Sequence, residues 1–276
     1  MKKMKWAIIS GDGLPTSGLL TIFRNIAEIA IKNNKIINEI PADLGFSWRP
    51  DKKHFFPYGS AESHYPTWMN VSSIHQKIPY DSDHGHCFTH IRKRVARYES
   101  LTDAEIKDIN QDIDSIAKIY EDYFLSWFED NNVDWVFCLN ITLSDAVPVS
   151  LALHNAARKY WAKKNNGGII FWDHDLFGSY AIYEHEERLY PEKPNILTPI
   201  PQDNAYTKWI VASEALAKES RNYPTELVPD VIPNILPSID MSAFNDIHID
   251  FLSQHNIPVG SSIVIVPVRV FRVKGI

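Results

Sequence analysis

Residues 5–34 read KWAIISGDGLPTSGLLTIFRNIAEIAIKNN. A short continuous apolar run leads into a glycine-rich turn. Beyond it, Leu19, Leu20, Ile22, Phe23, Ile26, Ile29 and Ala30 recur at helical spacing, with Arg24, Asn25 and Glu28 toward solvent. The stretch therefore predicts strand, loop and helix in that order. Glycines in the loop let the backbone turn tightly and let a ligand approach main-chain N–H groups. Gly18 at the helix start leaves the positive end of the helix dipole uncovered. Gly11, Gly13 and Gly18 are thus candidates to meet an anion or sugar hydroxyls, and a tight turn without a ligand is an equally good reading. The pattern is not G-x-G-x-x-G, because the glycine after Gly13 is Gly18. Nor does a clear acidic residue end the second strand at the usual distance, which weakens a dinucleotide-binding reading.

The same alternation continues along the chain. VDWVFCL (133–139), GGIIFWD (167–173) and KWIVAS (208–213) are apolar runs of strand length, separated by helix-period segments such as DAVPVSLALHNAARKYWAKKN (145–165) and EALAKESRNY (214–223). That order predicts an α/β fold, a Rossmann-like parallel sheet with helices on both faces. In LTDAEIKDINQDIDSIAKIYEDYFLSWFEDNN, Thr102 and Glu105 form a capping-box pattern ahead of a long helix whose buried stripe is Ile106, Ile109, Ile113, Ile116 and Tyr120. Residues from about 42 to 100, rich in Pro, Gly, His and aromatics, break the rhythm and read as an elaborated insertion suited to recognising an acceptor or a partner.

With 276 residues and a formal net charge of −6, the chain can bury a full core and lacks the basic excess expected of a nucleic-acid binder. Cys87 and Cys138 are too few for a disulfide framework, and the amino-terminal residues do not read as a signal peptide. No run approaches the roughly 18 apolar residues of a membrane-spanning helix. A soluble, cytoplasmic protein is expected.

Two further constellations carry chemistry. GGIIFWDHDLFGSY brings Trp172, Asp173, His174 and Asp175 to the carboxyl end of an apolar strand, where ligands bind in open α/β sheets, although Asp175 is also placed to cap a following helix. LNITLSD presents Asn140, Thr142, Ser144 and Asp145 on the same rim. Near the chain's end, the strand-like SIVIVPV is followed by Arg269 and then Lys274-Gly275, two cations spaced to reach one diphosphate.

Upstream of that run stands VPDVIPNILPSIDMSAFN. Val231, Ile232, Pro233, Asn234, Asp240 and Phe244, then Arg269, Lys274 and Gly275 of R-x4-K-G, resemble retaining GT-B glycosyltransferases of the group 1, family 4 type. The Gly-rich loop, His174-Asp175 and IVASEALAKE also look like that family. The resemblance implies transfer of a sugar from a nucleotide-diphosphate sugar to an acceptor hydroxyl, with no metal and no cofactor beyond the donor. It implies catalytic roles for His174 and Asp175, and donor-phosphate contacts for Arg269, Lys274, Gly11 and Gly13. Acceptor contacts fall to Gly18, Asn140, Trp172 and Asp173. The expected domains are an acceptor-binding domain over 1–232, a crossover over 233–260, and at 261–276 the first strand and phosphate loop of a donor domain that is otherwise missing. The expected partners are a separate carboxy-terminal donor domain or, in a homo-oligomer, a second copy of the chain, beside a sugar, lipid or glycan acceptor. The rival readings are a non-catalytic carbohydrate- or protein-binding subunit and another Rossmann-like enzyme such as an oxidoreductase.

Weaker signals have plainer explanations. His84, His86, Cys87 and His90 match no four-ligand zinc spacing. The basic run His90, Arg92, Lys93, Arg94 and Arg97 suits a solvated helix face better than a membrane surface.

Overall fold

A computed structural model describes residues 2–15, 17–46, 48, 64–72, 82–143, 146–164, 166–177, 183–184, 187–235, 246–258 and 260–261. Contacts divide the chain into Met1–Ile235 and Leu236–Ile276. The first unit holds β1 (Trp6–Ser10), α1 (Gly18–Lys32), β2 (Ile40–Asp43), β3 (Met69–Val71), α2 (Ser82–Ala96), α3 (Asp103–Asp130), β4 (Trp135–Leu139), α4 (Val147–Trp161) and β5 (Gly168–Asp173). After them come β6 (Tyr183–Glu184), β7 (Glu187–Arg188), β8 (Thr207–Val211), α5 (Glu214–Glu219) and β9 (Asp230–Val231). In the second unit α6 spans Asp246–Gln254. The SIVIVPV run and the cations Arg269 and Lys274 lie outside the described residues.

Seven strands form one parallel sheet in the order β3-β2-β1-β4-β5-β8-β9, the order of a Rossmann-like α/β fold. Strands buried on both faces read as continuous apolar runs, which is why the sequence shows runs where a one-sided sheet would alternate. The two faces separate by register. Ala7, Ile9, Val136, Cys138, Ile169, Phe171, Trp209 and Val211 share a core with α3 and α4, whereas Ile8, Phe137, Leu139, Trp172 and Ile210 pack with α1.

Helix α1 buries Leu20, Phe23, Ala27 and Ala30. Ile29, expected in that stripe, is 50% exposed, lying off the buried line that those four residues trace. Helix α3 has the expected start: Thr102 and Glu105 form a capping box, and Ile109, Ile113, Ile116 and Tyr120 are buried. Its Phe124 and Phe128 continue the stripe, with Phe128 packed on Tyr160 and Trp161 of α4 at 5.7 and 4.9 Å between ring centroids. Glu121, buried between these helices, bonds Lys159 and lies 3.4 Å from Lys118. Those partners outweigh burial and hold its carboxyl below the usual range.

Two expectations about irregular chain need correction. The stretch from 42 to 100 contributes β3, an edge strand of the main sheet, and α2, whose Phe88, Ile91 and Val95 enter the core beside α3. A three-residue edge strand is too short to show a period in sequence. The helix expected after Asp175 is not found where the structure describes that segment, for Tyr183–Glu184 and Glu187–Arg188 pair antiparallel instead. Among the described residues, no helix is long and apolar enough to cross a membrane.

The start of β5 depends on two glycines. At Gly167, φ is +99°, and at Gly168 an added Cβ would stand 2.0 Å from the carbonyl oxygen of Tyr206. The obstacle is backbone, so it cannot rotate away. Gly168→Ala is therefore expected to destabilise the fold by about 3 kcal/mol in urea unfolding, near the upper end for overpacking. Gly18→Ala, where a Cβ meets nothing within 4 Å, is expected to leave stability unchanged or slightly raised.

Candidate functional site

Strand order reverses between β1 and β4, so the crossovers leaving those two strands part to opposite sides and open a crevice at their carboxyl ends. Four segments converge on this edge: the loop after β1, the turns after β4 and β5, and the chain leaving β9.

In the loop after β1, Gly13 is buried, and a Cβ there would fall 2.1 Å from Leu44 Cβ. The Gly13 carbonyl accepts from Tyr65 Oη at 2.9 Å. The missing side chain thus lets the loop pack on the chain beyond β2, a structural use of a residue expected to face donor phosphate. Gly18 is exposed and opens α1. Ser17, at the cap position, makes no side-chain bond to the helix amides and donates instead to Asp12 Oδ2 at 3.3 Å. With no acidic residue in the first turn, the start of this 15-residue helix keeps amides without a side-chain cap. The Asp12 carboxylate beside it weakens the place for a phosphate and suits hydroxyl donors.

Asn140 follows β4 in the left-handed region, with φ of 51°. Its main-chain N–H donates to the Trp172 carbonyl at 3.1 Å. Its side-chain Oδ1 accepts from the His174 N–H at 2.7 Å, and its Nδ2 donates to Asp175 Oδ2 at 3.0 Å. Asp175 is accordingly no helix cap. Asn140, expected to bind acceptor, has both amide atoms engaged by the neighbouring turn.

Asp173 and Trp172, expected to contact the acceptor, are 0% and 1% exposed and face opposite sides of the sheet. Asp173 Oδ2 accepts from Trp209 Nε1 at 2.7 Å. Thr142, 3% exposed, stands close enough to favour the ionised form, yet Thr142 Oγ1 and Asp173 Oδ1 both lack a hydrogen bond of good geometry. Burial dominates and, helped by the Asp175 charge, pushes the Asp173 carboxyl up to about 7.

His174 stands beside Trp172, with ring centroids 5.4 Å apart. Burial pushes its imidazole below the ordinary value, opposed by the Asp175 carboxylate and by Asn234. Neither ring nitrogen makes a well-formed hydrogen bond, although both are buried. A neutral imidazole offers one donor and one acceptor, so this ring can bond a hydroxyl group through either nitrogen or take a proton from it.

Of the expected site residues, the structure gathers Gly11, Gly13, Gly18, Asn140, His174 and Asp175 along the carboxyl edge. Ser144, Asp145, Arg269 and Lys274 fall outside the described residues. Among the described residues, no cluster of three His, Cys, Asp or Glu could hold a metal ion. Two residues were missed. Asn234 reaches His174 from the segment after β9; the Val-Ile-Pro-Asn motif marked it without assigning it a role. Asp43 does end β2, contrary to expectation; Pro41 interrupts the apolar run and hid the strand. Its buried carboxylate accepts from Gly45 N–H and Trp48 Nε1 at 3.0 Å each and from Tyr123 Oη at 2.8 Å.

Strand order, crossover pattern and edge site together define a Rossmann-like α/β domain. No protein-family model matches the chain, and no curated protein matches it. It is similar to a solved short-chain dehydrogenase from Streptomyces avermitilis at 11% identity over 92% of this chain and 93% of that one, with a TM-score of 0.26. So low a score carries no argument about this protein.

Asp173 generates a pH signature. Unfolded, it ionises near 3.8; folded, near about 7, so between these values the native state holds the extra proton. The associated stability is complete below about pH 4 and is lost as pH rises through about 7. His154, stacked on Phe171 at 4.5 Å and pushed down to about 4 by burial, slopes the other way, its contribution lost as pH falls from 6.5. Asp173→Asn should therefore gain stability over the parent progressively from about pH 4 to about pH 7, read as the difference between two urea-unfolding series. Parallel series would show that Asp173 is ionised in the native state.

Proposed function

We propose that this chain is the acceptor-binding part of a retaining glycosyltransferase of the GT-B group 1, family 4 type, acting with a nucleotide-diphosphate sugar. The observation that carries the reading is the meeting of His174, at the carboxyl end of β5, with Asn234 of the Val-Ile-Pro-Asn segment. These are the two places within the first unit where the sequence most resembles that family, and they are far apart in the chain. In this reading the neutral imidazole binds sugar hydroxyls beside the reacting centre, and burial suits it to a neutral ligand. Arg269 and Lys274 hold the donor diphosphate by their place in R-x4-K, and cations there stabilise the charge that develops on the departing nucleoside diphosphate. Retention is consistent with reaction on one face of the donor sugar, with the acceptor hydroxyl arriving on the side the diphosphate leaves.

A nicotinamide-dependent reading finds less support. In a dinucleotide-binding sheet the acid ending β2 holds the adenosine ribose, and Asp43 is instead buried against Tyr123 and Trp48.

Titration of the full chain with methyl α-glucoside and methyl α-mannoside, followed through the His174 imidazole by NMR, is expected to show a response at millimolar concentration. His174→Ala should weaken that binding by about tenfold, the worth of one good hydrogen bond. NADPH should leave the ring unperturbed. Tight NADPH binding with no response to any glycoside would overturn the glycosyltransferase reading.

A further inference from the structure

Asn140 occupies a position where the chain needs one residue in the left-handed region, and asparagine is among the few side chains that tolerate it. The conformation turns the chain immediately after β4, so that the amide group lies along the rim toward β5. Three bonds result, one from its main chain to the Trp172 carbonyl and two between its side chain and His174 and Asp175. The partner strand on the other side, β8, serves the Asp173 carbonyl through Ala212 N–H at 3.2 Å and supplies no bond to the His174 N–H. Asn140 thus extends the β4–β5 ladder by one residue through its side-chain oxygen, and through its side-chain nitrogen holds the Asp175 carboxylate. Only a side chain with an acceptor and a donor on one carbon can do both; aspartate would lose the donor and set two carboxylates together.

We propose that Asn140 is a positioning residue, a clamp that fixes the His174-Asp175 turn and thereby sets both where the imidazole stands and which carboxylate faces it. Its relevance to sugar binding rests on the reading of His174 given above; the clamp itself does not. Asp175 is the charged neighbour that opposes the effect of burial on His174, and Asn234 is the polar one. Releasing the Asp175 carboxylate into solvent removes a charge that favours the protonated ring.

Asn140→Gly isolates the side chain, because glycine accepts a φ of 51° without strain. In ligand-free protein with labelled imidazoles, Asn140→Gly is expected to move the His174 titration midpoint further down, and Asp175→Asn to do the same. In the Asp175→Asn background, Asn140→Gly should produce no additional shift, a coupling that a purely structural contribution of Asn140 would not show. Exchange of the His174 amide should quicken at least about tenfold in Asn140→Gly, while that of Trp172 changes less. Should Asn140→Gly not fold, the Asn140 side-chain amide protons provide the second measurement: they should be protected in the parent and lose that protection in Asp175→Ala. Equal shifts in both backgrounds, or unprotected Asn140 amide protons in the parent, would overturn the clamp. A clamp that responds as stated in a protein blind to glycosides would instead remove the functional reading alone.

Discussion

The site exists because parallel strands joined by crossovers must all finish at the same edge. Ser10 pairs with Leu139, Leu139 with Trp172, and Trp172 with Ile210, so four strands end almost level. Just past that level the Asn140 N–H still bonds the Trp172 carbonyl and the Ala212 N–H the Asp173 carbonyl. The ladder then gives out, and a group such as the His174 N–H must find its partner in a side chain or a ligand. Asn140 answers that demand for β5, and the uncapped start of α1 leaves it open beside β1.

Desolvation at this edge sets its chemistry. Asp173 and His174 are adjacent in sequence, but successive residues of a strand point to opposite faces. Asp173 turns into the core shared with α4 and Trp209, whereas His174 turns toward Trp172 and Asn234. Burial drives both toward their uncharged forms, raising the acid and lowering the base. Asp173 therefore stands close to its midpoint near neutrality, and His174 is held toward its neutral form.

Much of this was legible in the sequence because the central strands are fully buried and because α1 and α3 carry strong helical periods. The capping box at Thr102 could be read directly, since it rests on bonds within four residues. What escaped depended on contacts distant in the chain. Asp43 becomes the end of a strand only through pairing with β1 and β3, and its partners Trp48 and Tyr123 come from other parts of the fold. The inward turn of Trp172 and Asp173 could not be seen in GGIIFWDHD, because an apolar strand buried on both faces has no outward side by which to orient its last residues. The partners of Asn140 escaped as well, since they are fixed by the β4–β5 register.

The electrostatics of the described edge bear on what it can bind. A diphosphate carries charge that must be met by donors, and the start of α1 offers roughly half an elementary charge. Asp12 lies beside that start and Asp175 beside His174, so both carboxylates oppose an anion approaching along the rim. His174, kept toward its neutral form, adds little to offset them. This rim supplies no counter-charge for a diphosphate, and the proposed reading gives that task to Arg269 and Lys274 by their spacing in the sequence alone. The acidic rim and the neutral ring fit the opposite end of such a donor, the sugar and the hydroxyl that attacks it. On this account the two halves of the proposed reaction are separated by charge: hydroxyl recognition along the edge of this sheet, and phosphate recognition at the R-x4-K segment.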